Sequence, residues 1–234
     1  MSGNLKRNDS KAVSSIIAHL DQVRSNRPTT SLTEGKSAKT GATLINIISA
    51  AREIFVNEGH ASLSLRKVAR KADIAVGNLT YHFPTKHILL DAMLREALAE
   101  YAEDHLAQFE ADRDSPLDIL LNVVTYYARN AWESHRFFYQ MWGYAGSDET
   151  AMETVRNLYR PIGRFIYYLI REANPELSDH EIRRATLQLF SLEEGYKLFV
   201  GMGSTNDGAL TSMEDDIRIM TKWIVFTKYA EAEA

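Results

Sequence analysis

From about residue 40 onward, apolar residues recur every third and fourth position, and no segment alternates apolar with polar over the length of a strand. That periodicity limits the chain to an all-α fold, in which each segment closes its own backbone hydrogen bonds and buries one stripe against its neighbours. Ile45, Ile48, Ala51, Ile54 and Phe55 mark a first helix over 41–58, with Gly59 as its stop. Leu65, Val68, Ala69 and Ala72 mark a second behind a Ser64 cap, and a short third follows at 76–82. Ile88, Leu89, Ala92, Leu98 and Tyr101 line a long helix from about 86 to 110. Pro116 suits the first turn of a helix reaching about 134. Asp148 can cap one that runs to Ala173 with a kink at Pro161, Ser178 and Glu181 form a capping box, and a last helix covers roughly 212–230.

The residues before 40 differ. Val13, Ile16, Ile17, Leu20 and Val23 have helical spacing over 11–24, whereas 25–40 is a polar linker holding Arg27, Lys36 and Lys39. It reads either as a basic arm able to touch DNA or as a terminus with no partner. Three parts result: an extension over 1–39, a three-helix head over 40–86 and a larger helical domain over 87–234.

Charge separates these parts. Residues 1–95 hold 14 Lys+Arg against 7 Asp+Glu, a charge of +7; residues 96–234 hold 13 against 24, a charge of −11. A basic head on an acidic body suits a nucleic-acid-binding module joined to a domain that does not bind nucleic acid. With no cysteine, disulfides, thiolate metal sites and cysteine nucleophiles are excluded, which fits a reducing cytoplasm. No apolar run nears the roughly 20 residues of a membrane span, and residues 1–30 lack a secretory signal. The seven histidines form no metal-binding motif; His87 and Asp91, one turn apart, read as solvated neighbours. No nucleophile motif is present. We expect no metal, no cofactor and no catalysis.

The stretch 64–86 carries the chemistry. Two short helices meet at Asp73-Ile74-Ala75, with Ile74, Leu79 and Phe83 available to pack on the first helix, which is a helix-turn-helix layout. Val76, Asn78 and Thr80 are left to meet bases: Asn can bond adenine, Thr a base or a thymine methyl, and Val supplies apolar contact. Gly77 allows close backbone approach. Ser64, Tyr81, His82, Thr85 and Lys86 suit phosphates, Lys86 standing at a helix start, and Arg66 and Lys67 add charge on the second helix.

The run S64-LRK-V68-A69-RK-A72-DIAV-G77-N-L79-TYHF-PT-K86-HI-L89-L90, together with TLINIISAAREIFVNEGH upstream, resembles the DNA-binding head of the tetracycline-repressor (TetR) family over about residues 40–95. The resemblance implies a homodimeric transcriptional regulator, usually a repressor released from a palindromic operator by a small effector. It departs from the family at Asp73, often Gly, at Ala75, often Ser, and at Thr80, where an aromatic is favoured and Tyr81 follows instead.

The body is aromatic: Tyr126, Tyr127, Trp132, Phe138, Trp142, Phe165 and Tyr168 read either as core or as the lining of an amphipathic pocket. Of Glu193 and Glu194, about 100° apart on a helix, one can face inward; we place Glu193 with the pocket. The expected effector is largely apolar or aromatic, with a cationic one second. Leu187, Phe190, Tyr196, Leu198, Phe199, Ile219, Trp223, Ile224 and Phe226 exceed one inward stripe, so helices 178–201 and 212–230 are expected to form the homodimer. The rival reading is a small-molecule-binding or catalytic helical protein with an incidental basic head.

Overall fold

Hydroxyl and carboxylate caps start most of the helices in the computed structural model, which describes residues 18, 27–31, 34, 37–111, 115–203 and 212–227. Ser37, Ser64, Ser115 and Ser178 each accept a backbone N–H three residues on, Thr85 accepts that of Ile88, and Asp148 that of Ala151. At Ser178 the capping box with Glu181 is complete. The helices are α1 (Ala38–Glu58), α2 (Leu65–Lys71), α3 (Val76–His82), α4 (Lys86–Ala111), α5 (Pro116–Arg129), α6 (Ala131–Ala145), α7 (Glu149–Ala173), α8 (Asp179–Met202) and α9 (Met213–Phe226). No strand occurs among the described residues.

The described residues fall into two units. The head unit lies within 17–108 and 136–161, and the body unit within 109–135 and from 162 onward. In the head unit, Leu44, Ile47, Ile48, Ile54 and Phe55 of α1 share a core with Val68, Leu79, Phe83, Leu90, Met93, Phe137, Met141 and Leu158. Phe55 and Phe137 pack at 5.7 Å between ring centroids. Gly59 ends α1 at φ +86°, a backbone conformation that calls for glycine, and a Cβ there would stand 3.0 Å from the movable amide end of Gln140. In the body unit, the inward residues of α5, α8 and α9 include Val124, Tyr127, Leu189, Ile217 and Val225. Asn174 donates to the Val225 carbonyl at 2.8 Å, which ties the end of α7 to the end of α9.

Four expectations change. Ile45 is 56% exposed and Ile88 is also exposed. The inward stripes turn instead on Leu44 and Ile47 in α1, and on Leu90, Met93 and Leu94 in α4. The helix expected to reach 134 stops at Asn130, whose side-chain amide and N–H both donate to the Tyr126 carbonyl. An Asn that satisfies the last turn locally competes with helix continuation, and α6 restarts at Ala131. Residues 28–31 of the polar linker form a helical turn, and α1 begins at Ala38. Ile224 is buried within the body unit. Apart from Ala18, the helix expected over 11–24 lies outside the described residues, as do Lys36 and the stretch after residue 227.

Candidate nucleic-acid interface

The geometry of the head starts at the corner between α2 and α3. Asp73 takes φ +52°, the left-handed turn that a non-glycine residue adopts at a cost. Asn46 of α1 donates its side-chain amide to the Ala72 carbonyl at 2.7 Å, and Ile74 N bonds to the Ala69 carbonyl at 3.0 Å. The corner is thus held by α1 as well as by its own backbone. Ala75 opens α3 with no side-chain cap.

Leu79 and Phe83 are sealed in the head core. Burying each is worth roughly 1.5–3 kcal/mol, which fixes how α3 is rolled. The opposite face is open: Val76, Gly77 and Asn78 are exposed, Tyr81 is 78% exposed, and a Cβ on Gly77 would meet nothing within 4 Å. Thr80 is half-buried, and its hydroxyl donates back to the carbonyls of Val76 (3.1 Å) and Gly77 (3.2 Å). The His82 ring meets the Tyr81 ring edge-on at 5.0 Å.

The positive residues divide sharply. Lys67 pairs with Glu58, and Lys71 with Glu53 at 2.5 Å, so α1 neutralises half the charge of α2. Arg66 and Arg70 are exposed and form no ion pair among the described residues. Ser64 caps α2 and Thr85 caps α4. Lys86, expected at a phosphate, donates at 2.5 Å to the His60 carbonyl, and burial holds its ammonium below the usual lysine range. Burial, and then the Lys86 charge, push the His60 imidazole below its ordinary value.

The aromatic residues expected around an effector are spread over both units. Phe138 lies in the head-unit core, and Trp142 beside it donates to the Tyr159 hydroxyl at 3.2 Å. In the body unit, Tyr127 and Phe165 are buried, Tyr126 is half-buried, and Trp132 and Tyr168 are exposed. Glu193 and Tyr127 belong to one polar cluster through Lys197. Glu193 is only 2% exposed, and its Oε1 has no hydrogen-bond partner among the described residues. Lys197, equally buried one turn on, bonds Glu194 at 3.1 Å and stands 5.0 Å over the Tyr127 ring. Burial raises the Glu193 carboxyl to about 8; Lys197 opposes the rise and Glu194 adds to it. Sequence reading missed Lys197 and Asn46. Helical spacing from Glu193 exposes the first, whereas nothing local marks the second.

The model for bacterial regulatory proteins of the tetR family matches residues 47–93. An uncharacterized HTH-type transcriptional regulator in the dhlA 5′ region of Xanthobacter autotrophicus is 28% identical over 128 residues, 53% of this chain. The match spans 63% of that relative, less than two thirds of its length. Among solved structures, GusR of Salmonella enterica superposes with a TM-score of 0.64 at 20% identity, over 80% of this chain and 96% of its own. FadR of Bacillus subtilis, solved in complex with stearoyl-CoA, superposes with a TM-score of 0.64 at 15% identity, over 79% and 99%. These likenesses carry the helical fold, and the sequence match identifies residues 47–93 as a DNA-binding head like that of the tetR family of bacterial regulatory proteins.

Proposed function

We propose that the chain is a homodimeric, sequence-specific DNA-binding transcriptional regulator of the cytoplasm and not an enzyme, a repressor released from a palindromic operator by a small, largely apolar or aromatic effector. The observation that carries the reading is α3: one side sealed by Leu79 and Phe83, the other presenting Val76, Gly77, Asn78 and Tyr81 to solvent. A helix of that size enters the major groove. Val76 and Asn78 read bases, and Thr80 contributes its methyl, since its hydroxyl is bonded back into the helix. Tyr81, His82, Ser64, Thr85 and Arg66 hold phosphates.

The homodimer is supported by the exposed apolar residues of α8 and α9: Leu187, Phe199, Met202, Ile219, Trp223 and Phe226. Large exposed patches of this kind mark association surfaces, and two-fold pairing would place two heads on a palindrome. The effector reading is supported by the buried aromatics of the body and by the stearoyl-CoA complex of FadR. Effector binding would act by favouring a head spacing that no longer fits the half-sites.

A gel shift with the DNA upstream of the protein's own gene tests the reading. A shifted band that resists competitor DNA is expected, together with a dimer by light scattering at micromolar concentration. Absence of any sequence-selective shift would sink the DNA-binding reading, and a monomer would sink the dimer.

A further inference from the structure

α1 and α4 share the head core through residues such as Leu44, Ile47, Leu90 and Met93, but leave a gap on one side. Between them lies a cavity of about 500 Å³ lined by Ile45, Ile48, Ser49 and Met93, with Arg52 and Glu100 among its charged residues. Along that side the lining atoms forgo dispersion partners, so packing constrains the angle between the two helices less there than in the core. Polar contacts span the gap instead. Arg52 pairs with Glu100 at 2.5 Å. A second set comes from the segment ahead of α1. Glu96 of α4, 5% exposed, accepts from Arg27 Nε, from Thr29 N at 3.1 Å and from the Thr29 hydroxyl at 2.9 Å. Arg27 Nη1 reaches both oxygens of Glu103, at 2.7 and 2.8 Å. Pro28, between the two anchoring residues, is buried. A carboxylate as buried as Glu96 is tolerated because donors saturate it, and removing one strands charge in a poorly solvated place.

We propose that Arg27, Thr29 and Glu96 form a clasp that fixes the angle of the helix-turn-helix on α4, which makes Arg27 and Glu96 positioning residues for operator spacing. The inference rests on the dimeric DNA-binding reading for its consequence on DNA, but not for the clasp itself. The chain leaves the helix-turn-helix through α4, so the angle between α1 and α4 helps set where α3 points, alongside the packing of Phe55 on Phe137. Each base pair of half-site spacing moves its target by about 3.4 Å along the DNA axis and about a tenth of a turn around it. A head free to swing tolerates several spacings; a clasped head selects one.

The chain has no cysteine, so two introduced cysteines can be labelled cleanly. Spin labels at Ala42→Cys on α1 and Arg95→Cys on α4, both exposed positions, report the angle by pulsed dipolar spectroscopy, with excess unlabelled protein suppressing contacts between copies. Arg27→Ala and Glu96→Gln should at least double the width of the distance distribution, and Arg27→Lys should restore part of it. In parallel, sites selected from random DNA are rebuilt with half-sites one and two base pairs closer or farther. The unaltered chain should lose at least tenfold in affinity per base pair, and the clasp variants less than threefold, with single half-site binding retained in all. Unchanged distance distributions would overturn the clasp. Broadened distributions with an unchanged spacing profile would overturn its positioning role. If the unaltered chain selects no paired half-sites, the dimeric operator reading fails, while the label distances still decide the clasp.

Discussion

Replacing Glu193 by glutamine should swap the stability order of the variant and the unaltered protein between pH 5 and pH 9. The Glu193 carboxyl is raised from an ordinary 4.5 to about 8, chiefly by burial. In the unfolded chain it loses its proton near 4.5; in the folded protein it keeps it until about 8. Between those values the folded state binds the extra proton, so stability is full below the lower pKa and falls by about 1.4 kcal/mol per pH unit as pH rises through the window. The 3.5-unit separation corresponds to roughly 5 kcal/mol when fully expressed, of which about 4 kcal/mol is lost between pH 5 and pH 9. Glutamine does not titrate. It brings an amide that also needs partners and so costs about 1–3 kcal/mol at every pH. The difference between the two proteins, not either alone, is therefore the readout, because titrations away from the Glu193, Glu194 and Lys197 cluster cancel in it. Urea unfolding followed by tryptophan fluorescence at pH 5, 7 and 9, at one protein concentration, should show Glu193→Gln the less stable at pH 5 and the more stable at pH 9. Unfolding curves that keep a constant separation across that range would refute the buried, unpartnered acid.

Other substitutions test the head. Asn78→Ala should cost roughly 1–3 kcal/mol at one base pair and little elsewhere; an equal loss on every operator variant would remove the base-reading role. Arg66→Ala should weaken all DNA alike and lower the salt slope by about 1, whereas Lys67→Ala, whose charge is already matched by Glu58, should lower it by clearly less; equal slopes would show that the ion pair opens on DNA. Asp73→Gly, at φ +52°, should stabilise the head by about 0.5–1 kcal/mol in urea, and a destabilised variant would mean that the aspartate side chain holds the corner.

The helix-turn-helix could be read from the sequence because its signals are local. Ser64, Thr85 and Gly59 act on the chain within a few residues, and Leu79 and Phe83 fall on one side of a helix short enough for its direction to be unambiguous. Where the reading failed, the deciding force came from distant residues or, at Asn130, from a local bond that apolar periodicity does not register. Ile45 satisfies helical spacing as well as Leu44 does, and only the placement of α4 leaves it beside a gap. Arg27 read either as part of a basic arm or as part of a terminus with no partner because its partners, Glu96 and Glu103, lie some 70 residues away in sequence. Asn130 broke a helix that apolar periodicity carried onward, since the pattern of buried residues does not register a local hydrogen bond. Glu193 was placed inward from angle alone, but its charge state depends on how completely α5, α8 and α9 exclude water.

The pairing of Lys67 with Glu58 and of Lys71 with Glu53 also bears on how such a head finds its target. Every cation left free to release counterions from a duplex strengthens binding to any sequence, and so lengthens the time spent on the wrong one. A genome offers on the order of 10⁶–10⁹ competing sites, which makes the ratio of specific to indiscriminate affinity the quantity that matters. With two of the four α2 cations paired to α1, a head that binds DNA as proposed gives up grip carrying no information and leaves selection to the open face of α3.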